Sequence, residues 1–163
     1  MVILREQAMS DVHAGGCLCG AVRFRTKGSP KVTTVCHCKF CQRVSGSAFS
    51  IEPWFQEENV EFEGEPPSTY DYRSPEHGRV LHVQFCAKCG NRVGLLLDRF
   101  PKMQALYSGT FDDPDWVKPK WHIFTKEAVG WMEFPKDATC FESHCFNADG
   151  TLATPWRTPV QAE

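Results

Sequence analysis

The sequence predicts a mainly β protein with little helix, on three observations. Short segments of period-two hydrophobic alternation recur along the chain; Gly, Pro, Asn and Asp separate them densely; and helical periodicity is poor. At 163 residues, 42% of them hydrophobic with Phe 12 and Trp 5, the chain has apolar surface for a core and the size of a single domain, 1–163.

The first clear strand is "AVRFRT" (21–26), where Val22 and Phe24 alternate with Arg23 and Arg25. Further strands are predicted at 31–35, 48–51, 60–63, 69–73, 79–85, 92–97 and 103–108. Many short strands of this kind make a twisted antiparallel assembly. Helix is expected only as a turn or two over 52–59, after Pro53, and one more over 113–119. The tail from Thr151, with Pro155 and Pro159, should run extended along the surface or fray.

Composition excludes some functions. Eighteen Lys+Arg against 20 Asp+Glu leave a formal net charge of −2, without the basic excess that holds a phosphate backbone, so no nucleic-acid partner is expected. The opening "MVILREQAMS" is too short in apolar residues for a signal-peptide core and no run reaches membrane-spanning length; the expectation is a cytoplasmic protein with no membrane partner. Oligomeric state is not legible.

In a reducing compartment, nine cysteines, an odd number, point to metal ligation rather than disulfides. They cluster as "CLC" (Cys17, Cys19), "CHCKFC" (Cys36, Cys38, Cys41), "CAKC" (Cys86, Cys89) and a looser "CFESHC" (Cys140, Cys145). Two sulfurs on a tetrahedral zinc lie about 3.8 Å apart, so the chain must fold sharply between ligands close in sequence. Gly16 and Gly20 around the first pair and Gly90 after the third supply the turns, and two two-sulfur halves complete one tetrahedron. Cys17, Cys19, Cys86 and Cys89 are therefore assigned to a structural zinc joining segments about seventy residues apart, in preference to a redox dithiol at Cys86 and Cys89, because that motif opens a helix and this one ends a strand.

Cys36, Cys38 and Cys41 supply three thiolates to a second zinc, giving two per chain. Strand alternation would turn His37 away from a metal faced by Cys36 and Cys38. Three protein ligands and a fourth place for water or substrate define a catalytic zinc; three thiolates make the centre a weak Lewis acid, better suited to binding a thiol than to acidifying water. Two readings stay open at this point: such an open site, or a closed structural site completed by Cys140, Cys145, His82 or His122.

The segments "GGCLCGAVRF", "CHCKFCQRVSGSAF", "FCAKCGNRV" and "WHIF", in this order, resemble the glutathione-dependent formaldehyde-activating enzyme family, which includes the centromere protein V domain. The likeness covers roughly 15–135 and leaves 136–163 as a C-terminal extension. It implies an Mss4-like fold of stacked antiparallel sheets, with zinc at the same two cysteine groups. The reaction implied is a carbon–sulfur lyase chemistry on a thiol adduct such as S-hydroxymethylglutathione, formed from glutathione and formaldehyde, so the implied partner is a small thiol. On this reading Lys39 and Arg43 contact the carboxylates of a glutathione-like ligand, Ser45, Gly46 and Ser47 match a small-residue stretch after the third cysteine, and His122 is a candidate proton carrier. Asn91 departs from the small hydroxyl residue common at its place. The alternatives are a non-catalytic, zinc-stabilised protein-binding module, and metal handling or thiol-based redox sensing at the three-cysteine site.

Overall fold

The computed structural model describes residues 11–76 and 78–159. The described chain is mainly β and falls into two compact units: residues 11–32 together with Pro53–Val117, and Thr33–Glu52 together with residues 118–159.

In the first unit, β1 (Val12–Gly16), β2 (Val22–Lys27) and β5 (Val60–Gly64) form an antiparallel sheet in the order β1-β2-β5. A second antiparallel run consists of β6 (Ser68–Arg73), β7 (Val80–Phe85), β8 (Arg92–Leu97) and β9 (Met103–Leu106), continued by the end of β4 (Ser50–Gln56), where Trp54 faces Ala105. The two sheets stack on a shared core. Phe24 of β2, Phe55 of β4, Leu106 of β9 and Phe111 are buried together, with Val60, Phe62 and Trp116 at the margin. The Phe24 and Phe111 rings meet edge to face, with centroids 5.0 Å apart. Burial of each such side chain is worth about 1.5–3 kcal/mol. The packing demands Gly15, since a Cβ there would lie 2.4 Å from both the Phe24 ring and the Thr110 carbonyl oxygen.

In the second unit, β3 (Val32–Cys36), β10 (Trp121–Ile123) and β11 (Thr139–Cys140) pair in the order β11-β10-β3. Both pairings are parallel, with His122 between Val35 and Cys140. Parallel pairing needs a long connection between partners, and the chain between β3 and β10 supplies it. A helix, α1 (Lys39–Ser45), follows β3 directly. The apolar cluster of this unit is built from Cys36, Cys41, Ile123, Phe141 and Cys145.

Two local expectations are corrected, and the tail runs extended as expected. The helical turns placed at 52–59 are strand as far as Gln56, with only a 3-10 turn at Glu57–Asn59: Trp54 and Phe55 both have buried sites to fill, which overrides the helix-starting signal of Pro53. No helix forms over 113–119, where Val117 N–H bonds to the Pro114 carbonyl in a single turn. The tail is also bonded: Cys140 N–H donates to the Arg157 carbonyl, Trp156 N–H to the Cys140 carbonyl, and the Trp156 indole to Thr125 Oγ1 at 2.8 Å. Among the described residues, no helix is long and apolar enough to cross a membrane.

Candidate metal centres

The first cysteine group is made by two backbone knuckles of the first unit. At one, Cys17 N–H bonds to the Val22 carbonyl and Gly20 N–H to the Cys17 carbonyl; at the other, Cys86 N–H bonds to the Asn91 carbonyl and Gly90 N–H to the Cys86 carbonyl. Gly20 and Gly90 sit at φ of 77° and 71°, the left-handed turn that folds each pair back on itself. A register shift at Gln84/Phe85 swings the end of β7 into the second knuckle. The four sulfurs lie within 4.8 Å of one another, with Cys17 to Cys19 at 3.6 Å and Cys19 to Cys86 at 3.7 Å. These separations match sulfurs sharing one tetrahedral ion, so the donor set fits zinc. Asn91 Oδ1 accepts from Leu18 N–H at 3.1 Å and ties one knuckle to the other. A short hydroxyl side chain has less reach for this, which gives the departure at Asn91 a structural purpose.

The second group is local. Cys36 ends β3, Cys38 is the N-cap of α1 and Cys41 lies in its first turn; their sulfurs also fall within 4.8 Å of one another. The Cys38 sulfur accepts the Cys41 N–H at 3.3 Å, so one side chain both starts the helix and faces the group. Gly46, in left-handed conformation, ends the helix. Cys36 and Cys41 are buried and Cys38 is half-buried. The neighbouring sulfurs of Cys36 and Cys41 hold Cys38 down to about 3, whereas Cys36 is pushed well up by Cys38 and by burial, and Cys41 by Cys36, Cys38 and burial. The triad is thus poised to present at least one thiolate, the form that binds a metal.

His37, the residue after β3, is not in the sulfur group. Its Nε2 lies 3.0 Å from Nδ1 of His122, both rings are buried, and Phe49 and Phe134 flank the pair. Burial lowers both imidazoles, His37 to about 4 with His122 as a second cause, so the pair is neutral at pH 7. His82 lies in the first unit, on β7, between Asp71 and Asp98 at 2.7 and 3.0 Å. Neither imidazole belongs to the three-sulfur group, nor do Cys140 and Cys145, although Cys145 packs in the same apolar cluster.

Lys39 and Arg43, expected at the ligand, are both exposed on α1. The Lys39 ammonium donates to the Glu127 carbonyl at 2.9 Å, and its backbone N–H donates to the Glu127 carboxylate. Gln42 reinforces this join by donating to the His37 and Glu127 carbonyls. Ser45 Oγ bonds within the turn, donating to the Phe49 carbonyl and accepting the Ser47 N–H.

One residue was missed by the sequence reading. Glu52 on β4, only 3% exposed, takes the Cys41 thiol at 3.6 Å and the Ser50 hydroxyl at 2.5 Å on the same carboxylate oxygen. Burial raises its pKa to about 7 against the lowering effect of the Ser50 hydroxyl. A Glu in "SIEPWF" reads as an outward-facing charge, and only the inward face of β4 reveals it.

Residues 12–127 match the glutathione-dependent formaldehyde-activating enzyme family. That span is most of the chain, and the protein belongs to this family. The fold also resembles a crystal structure of a Rhodobacter sphaeroides protein, at 19% identity and a TM-score of 0.49, over 65% of this chain and 91% of that one. No curated protein matches the sequence. Membership supports a function in general related to glutathione and formaldehyde, and the two cysteine groups could each hold a metal ion.

Proposed function

We propose that the protein is a zinc-dependent carbon–sulfur lyase acting on a thiol adduct such as S-hydroxymethylglutathione, in a reducing compartment such as the cytoplasm. Cys36, Cys38 and Cys41 hold the catalytic zinc; Cys17, Cys19, Cys86 and Cys89 hold a structural one. The observation that carries this reading is the gathering of three sulfurs within 4.8 Å while the histidine between them turns to His122 instead. A four-sulfur group suits a closed structural site, whereas a three-sulfur group suits a site that receives an outside ligand.

Zinc bound there would supply a positive centre that favours the thiolate form of an incoming thiol. The chain's own residues do the rest. Phe40, Trp121, Phe124 and Phe146 pack around the cysteine cluster and limit water. The exposed guanidinium of Arg43 is available to a carboxylate of glutathione, and Lys39 reaches one by releasing the Glu127 carbonyl. In the synthetic direction the sulfur bonds to the formaldehyde carbon and the thiol proton ends on the new hydroxymethyl oxygen; the lyase direction reverses both.

The test is a titration of cobalt-substituted protein with glutathione and with simpler thiols, following the visible spectrum. A saturable shift is expected for glutathione. An unchanged spectrum at saturating thiol would leave a zinc-stabilised protein-binding module as the better description.

A further inference from the structure

The run β9-β8-β7-β6 of the first unit ends at β6, which among the described residues has no strand on its outer side. An edge strand presents backbone N–H and C=O groups to any chain that can match them. Two bonds fix which groups those are. Ser74 N–H donates to the Arg79 carbonyl, and Asp98 N–H donates to the Val80 carbonyl, which therefore points towards β8 and away from β6. Since Arg73 pairs with Val80 and Asp71 with His82, bonded positions alternate along the ladder: Tyr70, Tyr72 and Ser74 direct their backbone groups at β7, and Asp71 and Arg73 direct theirs outward. Asp71 and Arg73 are also exposed. His82 Nδ1 lies 2.7 Å from Asp71 Oδ1, and Arg73 Nη1 donates to the Gly78 carbonyl at 2.7 Å, so each side chain is steadied at one atom and has a second of the same kind for a partner.

We infer that β6 is a self-association surface, on which two copies of the chain pair antiparallel about a two-fold axis at Tyr72. The edge is complementary to itself in that register: Asp71 of each strand lies opposite Arg73 of the other, at a hydrogen-bonded position, so backbone bonds and two acid–base pairs form together. On the other face the two Tyr72 rings meet, flanked by Tyr70, which is 61% exposed. Competing registers fail on charge or on donors. An axis at Asp71 or at Arg73 sets like charges against each other, and an axis at Tyr70 places Arg73 opposite Pro67, which has no N–H to give. The pairing continues the antiparallel run of one copy into that of the other. The contact is short, so the dimer is weak and forms as concentration rises.

The experiment is sedimentation of the zinc-loaded protein under reducing conditions, which keep chance disulfides from mimicking a dimer. Wild type should show a monomer–dimer equilibrium that weakens as salt is raised. Asp71→Arg and Arg73→Asp, each alone, should weaken the dimer by roughly tenfold or more, because each sets like charges opposite each other in both symmetric pairs. Mixed in equal amounts, the two variants should pair with each other, since the arginines of one then face the aspartates of the other at both positions. A cooperative melt shows that each variant is folded; if one is not, the double variant Asp71→Arg/Arg73→Asp, which exchanges the charges and keeps the complementarity, takes its place and should dimerise like wild type. Wild type that stays monomeric to the highest concentration, a dimer that neither single variant weakens, or a mixture or double variant that remains monomeric overturns the inference.

Discussion

In both cysteine groups the sulfurs lie within 4.8 Å of one another, but the origins of the two are opposite. The four-sulfur group joins knuckles far apart in sequence, fixed by two left-handed glycines and by the Asn91 bridge. The three-sulfur group is contained in the turn from β3 into α1 and has the buried Glu52 carboxylate, held by Ser50, against the Cys41 sulfur, with His37 between the ligands bonded to His122. A metal at the first closes a long loop and so contributes to folding; a metal at the second closes almost none. The difference teaches that the length of loop a metal would close, and not sulfur spacing, sets how much each group would contribute to folding.

The largest test of this contrast is Cys86→Ala. Zinc at a structural four-cysteine site is worth roughly 10 kcal/mol at neutral pH, comparable to the whole net stability of about 5–15 kcal/mol expected for a domain. The variant should hold at most one zinc and lose its cooperative thermal transition. A sharp melt close to wild type would remove the staple role.

Cys41→Ala is the counterpart. It should hold one zinc instead of two, lose the response to glutathione and all thiol-adduct activity, yet melt cooperatively with a loss of only about 1 kcal/mol from the deleted buried group. Collapse of the fold here would erase the contrast between the groups.

Gly15→Ala tests whether the first group depends on the packing beside it. The new methyl must displace the Phe24 ring and the Thr110 carbonyl, an overpacking cost of about 1–3 kcal/mol. Zinc content should stay at two per chain, since the knuckle geometry lies beyond Gly15; loss of a metal ion would mean that strand and knuckle form one unit.

Legibility in the sequence followed the same divide between local and distant. Both cysteine groups could be read because each half is a contiguous motif with its turn residues in place. Most strands could be read from alternation. The helix Lys39–Ser45 could not, because it is seven residues long and is started by a cysteine sulfur rather than by Ser, Thr, Asp or Asn. The His37–His122 pair depends on a parallel pairing of β3 with β10 across 85 residues, which no periodicity encodes. Glu52 was hidden by its type: a carboxylate next to Pro53 suggests a helix start, and its burial follows only from the strand that carries Trp54 and Phe55 inward.

The smallest expected effect separates the units by the sign of their response to pH. His82 in the first unit has its pKa raised by Asp98 and then Asp71. The folded state therefore holds its proton more tightly than the unfolded chain, and the contribution is complete below the ordinary histidine value and is lost as pH rises through the folded one. His122 in the second unit is lowered by burial and then by Arg157. Its contribution is complete above the ordinary value and is lost as pH falls through the folded one. Relative to wild type at each pH, which cancels the common loss of metal in acid, His82→Gln should destabilise more at about pH 5.5 than at about pH 8, and His122→Asn the reverse. The His82 effect should stay within about 1 kcal/mol because its pairs are at the surface. Denaturant unfolding of the two variants at both pH values measures this, and slopes of the same sign would mean that burial does not hold His122 neutral.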